Sequence, residues 1–152
     1  MKYLFVLFSV ALFTKGCGDK ETQEETVKSA QDDISIQYEA VSRGFYERIQ
    51  VSKEQLALTK VQGGKVSALQ EMAESDWNEI VSLLSKIDAE KIKTLEAPSA
   101  KRLYDGAAHA VLTIQYKDVE VSSNSFDHGN PPKELTALVD KMQAMAKAVD
   151  KQ

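Results

Sequence analysis

Both histidines of this 152-residue chain stand near carboxylates: Asp105 precedes His109 by four positions, and Asp127 adjoins His128. Two imidazoles with one or two carboxylates form a donor set suited to zinc or a similar divalent ion. The same groups can act as general acid and base, because imidazole titrates near neutral pH. An Asp-His or Asp-Gly pair is equally ordinary turn chemistry, in which the aspartate accepts backbone N–H bonds and holds a loop. "DHGNPP", residues 127–132, has the composition of a rigid loop feeding a helix. These residue types therefore fit a structural loop, a metal site of Asp105, His109, Asp127 and His128, or the acid–base pair of a small hydrolase. No serine or threonine nucleophile is marked by a sharp Gly-flanked turn. Gly63-Gly64 is followed by Lys-Val, not by the Lys-Ser and helix start of a phosphate loop.

Whether the four side chains meet depends on the elements that carry them. Ala110, Leu112, Ile114 and Tyr116 alternate with Val111, Thr113 and Gln115, the period-two pattern of a strand. After a turn at Lys117-Asp118, Val119 and Val121 continue the face, which makes a hairpin. A two-residue turn pairs Tyr116 with Val119 and sets His109 opposite Phe126. Asp127 and His128 then follow at the same end, and Asp105 enters from the preceding loop "EAPSAKRLYDGA". In this register residue 107 lies opposite His128, so the two histidines do not share a face.

Upstream, "ISIQYEA" alternates Ile34, Ile36, Tyr38 and Ala40 with polar residues, and "FYERIQV" places Phe45, Ile49 and Val51 on one parity after a turn at Ser42-Arg43-Gly44. "QLALTKVQ" and "KVSALQEM" flank Gly63-Gly64, and paired glycines supply the positive φ angles of a tight hairpin. Four successive strands form an antiparallel meander. The period then changes. Trp77, Ile80, Val81, Leu84 and Ile87 occupy one helical face, with Ser75 as N-cap and Asp76 in the first turn. In the last segment Asn130 caps, Pro131 opens the helix, and Leu135, Leu138, Val139, Met142 and Met145 line its core face. Trp77 and the two methionines read as core. The order ββββαββα predicts an α+β fold: an antiparallel sheet, meander plus hairpin, with two helices packed on one face.

The amino terminus carries a different signal. Lys2 precedes an apolar run from Tyr3 to Phe13 broken only by Ser9, and Gly16 stands before Cys17, the chain's one cysteine. The run is shorter than the roughly 20 apolar residues that span a bilayer. This segment resembles a bacterial lipoprotein signal. The resemblance implies a signal peptide at residues 1–16, diacylglycerol and fatty acid such as palmitate on Cys17, and attachment to the cell envelope, at the outer membrane. Residues 17–33 then form the acylated cysteine and a polar tether, with only Val27 and Ala30 as apolar residues after Gly18. The acidic Asp19, Glu21, Glu24 and Glu25 resemble lipoprotein surface-sorting signals of some Gram-negative lineages, and equally suit a solvated spacer. Residues 34–152 are read as one α+β domain. A single cysteine excludes an internal disulfide and a thiolate zinc cluster. With 23 acidic against 19 basic residues and a net charge of −4, nucleic acid is not the expected partner.

"SRGFYERIQV", "SDWNEIVSLLSKID" and "GNPPKELTALVDKM", with the Pro loop and hairpin between the last two, are similar in order to the emfourin-type inhibitors of thermolysin-family metalloproteases. That resemblance implies a non-enzymatic domain that binds another protein, as a protease inhibitor. The expected function is a lipid-anchored envelope protein with a protein-binding domain, and the alternative is a divalent-metal module at Asp105, His109, Asp127 and His128. Cys17→Ala is expected to abolish incorporation of labelled fatty acid, because the thiol is the sole site for diacylglycerol; equal labelling of both proteins would exclude lipidation there.

Overall fold

The computed structural model describes residues 33–151; the signal segment, Cys17 and nearly all of the tether lie outside the described residues. Seven strands form one antiparallel sheet: β1 (Ile34–Ser42), β2 (Phe45–Ser52), β3 (Gln55–Thr59), β4 (Ala68–Glu71), β5 (His109–Tyr116), β6 (Val119–Ser122) and β7 (Phe126–Asp127). Their spatial order is β4-β3-β2-β1-β5-β6, with β7 also paired to β5. Helix α1 (Glu74–Leu84) follows β4, and α2 (Lys133–Val149) follows β7. The fold is α+β, as the alternation and its switch to helical period predict.

One sheet face makes the core. Ile36, Tyr38 and Ala40 of β1, Ile49 and Val51 of β2, and Ala110, Leu112 and Ile114 of β5 join Trp77 and Ile80 of α1. Helix α2 adds Leu135, Leu138, Val139, Met142, Ala146 and Val149. Each fully buried aliphatic side chain contributes roughly 1.5–3 kcal/mol, and β1, which buries Ile36, Tyr38 and Ala40 between β2 and β5, is the axis of the domain. Lys141 of α2 holds α1 through Asp76 at 2.8 Å and Glu79 at 2.5 Å.

Several local expectations change. Gly63 has φ +70, but the β3–β4 connection runs from residue 60 to 67 instead of turning in two residues at Gly63-Gly64. Helix α1 begins at Glu74 without a side-chain cap, so Ser75 lies inside it. Helix α2 begins at Lys133, two residues beyond the expected Pro131, because the extended Pro132 is its N-cap. Phe45 shares the inward parity of Ile49 yet is 40 % exposed, since it stands at the sheet's end where the core stops. The segment between α1 and β5 is not a plain loop: it contains two 3-10 turns, Ile92–Thr94 and Lys101–Tyr104, and Ile92 is fully buried.

The most consequential change is one of register. From Tyr116↔Val119 to Thr113↔Ser122 the hairpin pairs as a two-residue turn requires, and Ser123 N–H still donates to the Leu112 carbonyl at 2.8 Å. Beyond it Ala110 faces Phe126 and His109 faces Asp127. One extra residue at 124–125 makes a β-bulge, and a one-residue shift exchanges the faces of everything that follows. Phe126 therefore turns into the core beside Ala110, while Asp127 turns to the outer face beside His109.

Candidate functional site

The bulge puts Asp127 under the loop that leads into β5, and the loop closes over it. One carboxylate oxygen accepts from Ser99 Oγ at 2.5 Å and Lys101 N–H at 2.8 Å; the other accepts from Arg102 N–H at 3.0 Å and Arg102 Nη1 at 3.1 Å. Arg102 also reaches the Ser99 carbonyl with Nη1 at 2.7 Å and Ser125 Oγ with Nε at 3.0 Å. Asn130 Nδ2 donates to Ser99 Oγ at 2.7 Å. Asp127 is 2 % exposed and Arg102 is 13 % exposed. Burial disfavours the charge on Asp127, but the Ser99 hydroxyl, the Arg102 and Lys101 N–H groups and the Arg102 guanidinium outweigh it and hold the carboxyl well below the usual carboxylate range. A carboxylate has about four lone-pair sites, and these four donors fill them.

His128 is turned the other way. Its Nδ1 and the Tyr38 hydroxyl share a hydrogen bond of 2.7 Å, and Gln143 of α2 donates to the same phenol oxygen at 3.3 Å. Burial, reinforced by the nearby charge of Glu47, pushes the Tyr38 phenol up, so it stays protonated. Phe45 packs on the His128 ring with centroids 5.1 Å apart. His109 is exposed on β5. Asp105 is exposed too, ending the 3-10 turn in the left-handed region with φ 60. The four residues expected to bind a metal thus share one end of the sheet but divide between its faces: Asp127 is engaged by the loop and His128 by Tyr38. Among the described residues no group of three or more His, Cys, Asp or Glu side chains is placed to hold a metal ion. The earlier expectation that His109 lies opposite Phe126 is corrected to Asp127.

The loop fixed by Asp127 also presents two exposed apolar side chains. Leu103 and Tyr104, consecutive in its 3-10 turn, are each 71 % exposed. Leu103 N–H donates to the Ala100 carbonyl at 3.1 Å and Gly106 N–H to the Lys101 carbonyl at 2.8 Å, so the turn is closed on itself as well as tied to Asp127. Gly106 lets the Tyr104 ring lie close: a Cβ there would come within 3.1 Å of it. Beside the loop runs an open groove of about 680 Å³, with Leu95, Ala97, Pro98, Arg102, Asn124 and Ser125 among its lining residues.

No family model, curated protein or solved structure matches the chain. Ser99, Arg102, Leu103 and Tyr104 lie within a stretch that reads from sequence as a Pro loop. The one legible hint was the adjacent apolar pair in a polar segment.

Because its folded pKa is depressed, Asp127 contributes stability that is fully present above the unfolded carboxyl value of about 4 and is lost as pH falls below it. Asp127→Asn is expected to lower the thermal midpoint at pH 7 by roughly 5–10 °C. Melts from neutral pH down to about pH 2 should show the gap between wild type and variant narrowing below about pH 5. A gap that stays constant or widens in acid would contradict the assignment.

Proposed function

We propose that this protein is a lipid-anchored envelope protein whose domain binds another protein through the Leu103–Tyr104 turn. The observation that carries this reading is the pairing of high exposure with fixed geometry. Two large apolar side chains, each 71 % exposed, sit on a turn whose backbone is hydrogen-bonded to a buried carboxylate. An apolar pair held out in water has a cost that a binding partner relieves, and aromatic anchors dominate interface energetics. A preorganised loop also loses little conformational entropy on docking. Protease inhibition, suggested by the emfourin-like order of elements, is one form of such binding and needs the same rigid, exposed loop.

The anchor half of the proposal is supported by the Lys2, Tyr3–Phe13, Gly16-Cys17 pattern. Among the described residues no helix is long and apolar enough to cross a membrane. The protein is not assigned a catalytic role.

The test is co-purification from detergent-solubilised envelope with the full-length acylated chain, beside the double variant Leu103→Ala, Tyr104→Ala. Both side chains are exposed, so the variant is expected to melt within a few degrees of wild type, exposed substitutions changing stability by about 0.5 kcal/mol or less. A partner retained by wild type and reduced at least tenfold with the variant, the effect of losing about 1.4 kcal/mol, is the expected result. Equal recovery with both proteins would remove this turn as the binding element.

A further inference from the structure

We propose that the open sheet edge at β4 takes up an extended segment of a partner protein as an added strand, with an aliphatic residue over the inner face and a basic residue beside Glu71. Strand β4, four residues from Ala68 to Glu71, pairs with β3 alone, and Leu69, Gln70 and Glu71 are exposed. The other edge of the sheet differs, because β6 has the 3-10 turn Ile92–Thr94 packed beside it. Edge strands commonly carry lysine, proline, a bulge or a covering loop that blocks further pairing. Ala68-Leu69-Gln70-Glu71 has neither lysine nor proline, its register with β3 is unbroken, and Leu69 is 61 % exposed.

The hydrogen-bond phase of β4 decides what the edge offers. Met72 N–H donates to the Glu54 carbonyl at 2.9 Å, and successive residues of an antiparallel ladder alternate between facing the partner strand and facing away. Ala68 and Gln70, opposite Leu58 and Leu56, therefore bond to β3, while the N–H and C=O groups of Leu69 and Glu71 point to the open edge. An extended chain meets that spacing residue against residue, as a bound peptide does when it extends a sheet. The side chains set its chemistry. Leu69 and Glu71 stand on the outer face, opposite Ala57 and Gln55, so an aliphatic residue against the first and a basic one against the second make favourable cross-strand pairs. On the inner face a cleft of about 80 Å³ opens between β4 and the two helices, with Leu56, Gln70, Met72, Asp76, Met145 and Ala148 among its lining residues. A single water needs roughly 10–15 Å³, so the cleft has room for a small aliphatic side chain from a strand laid along β4. A second copy of this chain fits less well. On that face its β4 offers Ala68 and Gln70, Met72 being packed against its own core, and its Glu71 adds negative charge to an edge that already carries Glu71 and Asp76. The edge is also separate from the Leu103–Tyr104 turn, which is tied to β7 beside β5, so each surface is tested without the other.

Amide exchange of the full-length chain in detergent, followed residue by residue by NMR, tests the proposal. The probe is the end-blocked heptapeptide Thr-Lys-Val-Val-Val-Lys-Thr, which reads the same in either direction. At about ten times its dissociation constant it should slow exchange at Leu69 and Glu71 about tenfold, the factor being 1 + [L]/Kd. Gln70, already bonded to β3, should change less. The same peptide N-methylated at alternate residues, in either phase, should protect neither amide. No protection at about 1 mM peptide, the weak end of specific affinity, would overturn the proposal. Equal protection by the methylated peptides would overturn it too, since binding would then proceed without strand pairing. Leu69 and Glu71 amides that are already slow without peptide, in a chain that sediments as a dimer, would give the edge to a second copy and also overturn it.

Discussion

A buried carboxylate needs every lone pair occupied, and the functional end of this protein is organised around satisfying one. Asp127 is turned to the outer face of the sheet by a bulge, and the Ser99–Arg102 segment that closes over it supplies all four of its hydrogen bonds. Removing one partner of such a pair leaves the full desolvation penalty behind. The segment that buries the carboxylate is thus also the one that satisfies it. Because two of the four bonds come from backbone N–H groups, the carboxylate fixes main-chain position rather than only a side-chain rotamer. Leu103 and Tyr104, the next two residues, inherit that rigidity.

The same end joins the core through His128. Tyr38 lies at the centre of β1, fully buried, and its hydroxyl reaches His128 Nδ1 and Gln143 of α2. A buried phenol needs a hydrogen-bond partner, and here its partners come from the loop before α2 and from α2 itself. Phe126 packs on Tyr38 from β7, with ring centroids 6.2 Å apart. Neighbouring residues of one short segment thus face opposite ways: Phe126 and His128 fasten it to the core, and Asp127 fastens the exposed loop to it. Alternation along a strand does both at once.

Periodicity made most of the fold legible. Ile36, Tyr38 and Ala40, or Leu135, Leu138, Val139 and Met142, repeat cleanly because each element has one apolar side, and the structure buries those residues. Features set by a single residue were not legible in this way. Gly63-Gly64 suggests a two-residue turn, yet only Gly63 takes positive φ and the connection is longer. Asn130 and Pro131 read as a helix start, but Asn130 spends its amide on Ser99, 31 positions away in sequence. The bulge at 124–125 leaves no mark in composition, and without it the register puts Phe126 outside and Asp127 inside. Asp127 was singled out for its neighbour His128, whereas its actual partners, Ser99 and Arg102, are distant in sequence and ordinary in type. The turn role weighed for Asp127 at the outset is the one its hydrogen bonds display, though the turn it holds lies elsewhere in the chain.

Amide hydrogen exchange at Lys101 and Arg102 tests directly whether Asp127 fixes this loop. Both residues lie in a surface segment, where amides bonded only to water exchange quickly, while amides whose bonds break only with larger openings exchange slowly. Protection at both positions approaching that of Leu112 in β5, and its loss in Asp127→Asn with protection at Leu112 retained, is the predicted result. Rapid exchange at Lys101 and Arg102 in the wild-type protein would contradict the account, because the turn that presents Leu103 and Tyr104 would then have no fixed backbone.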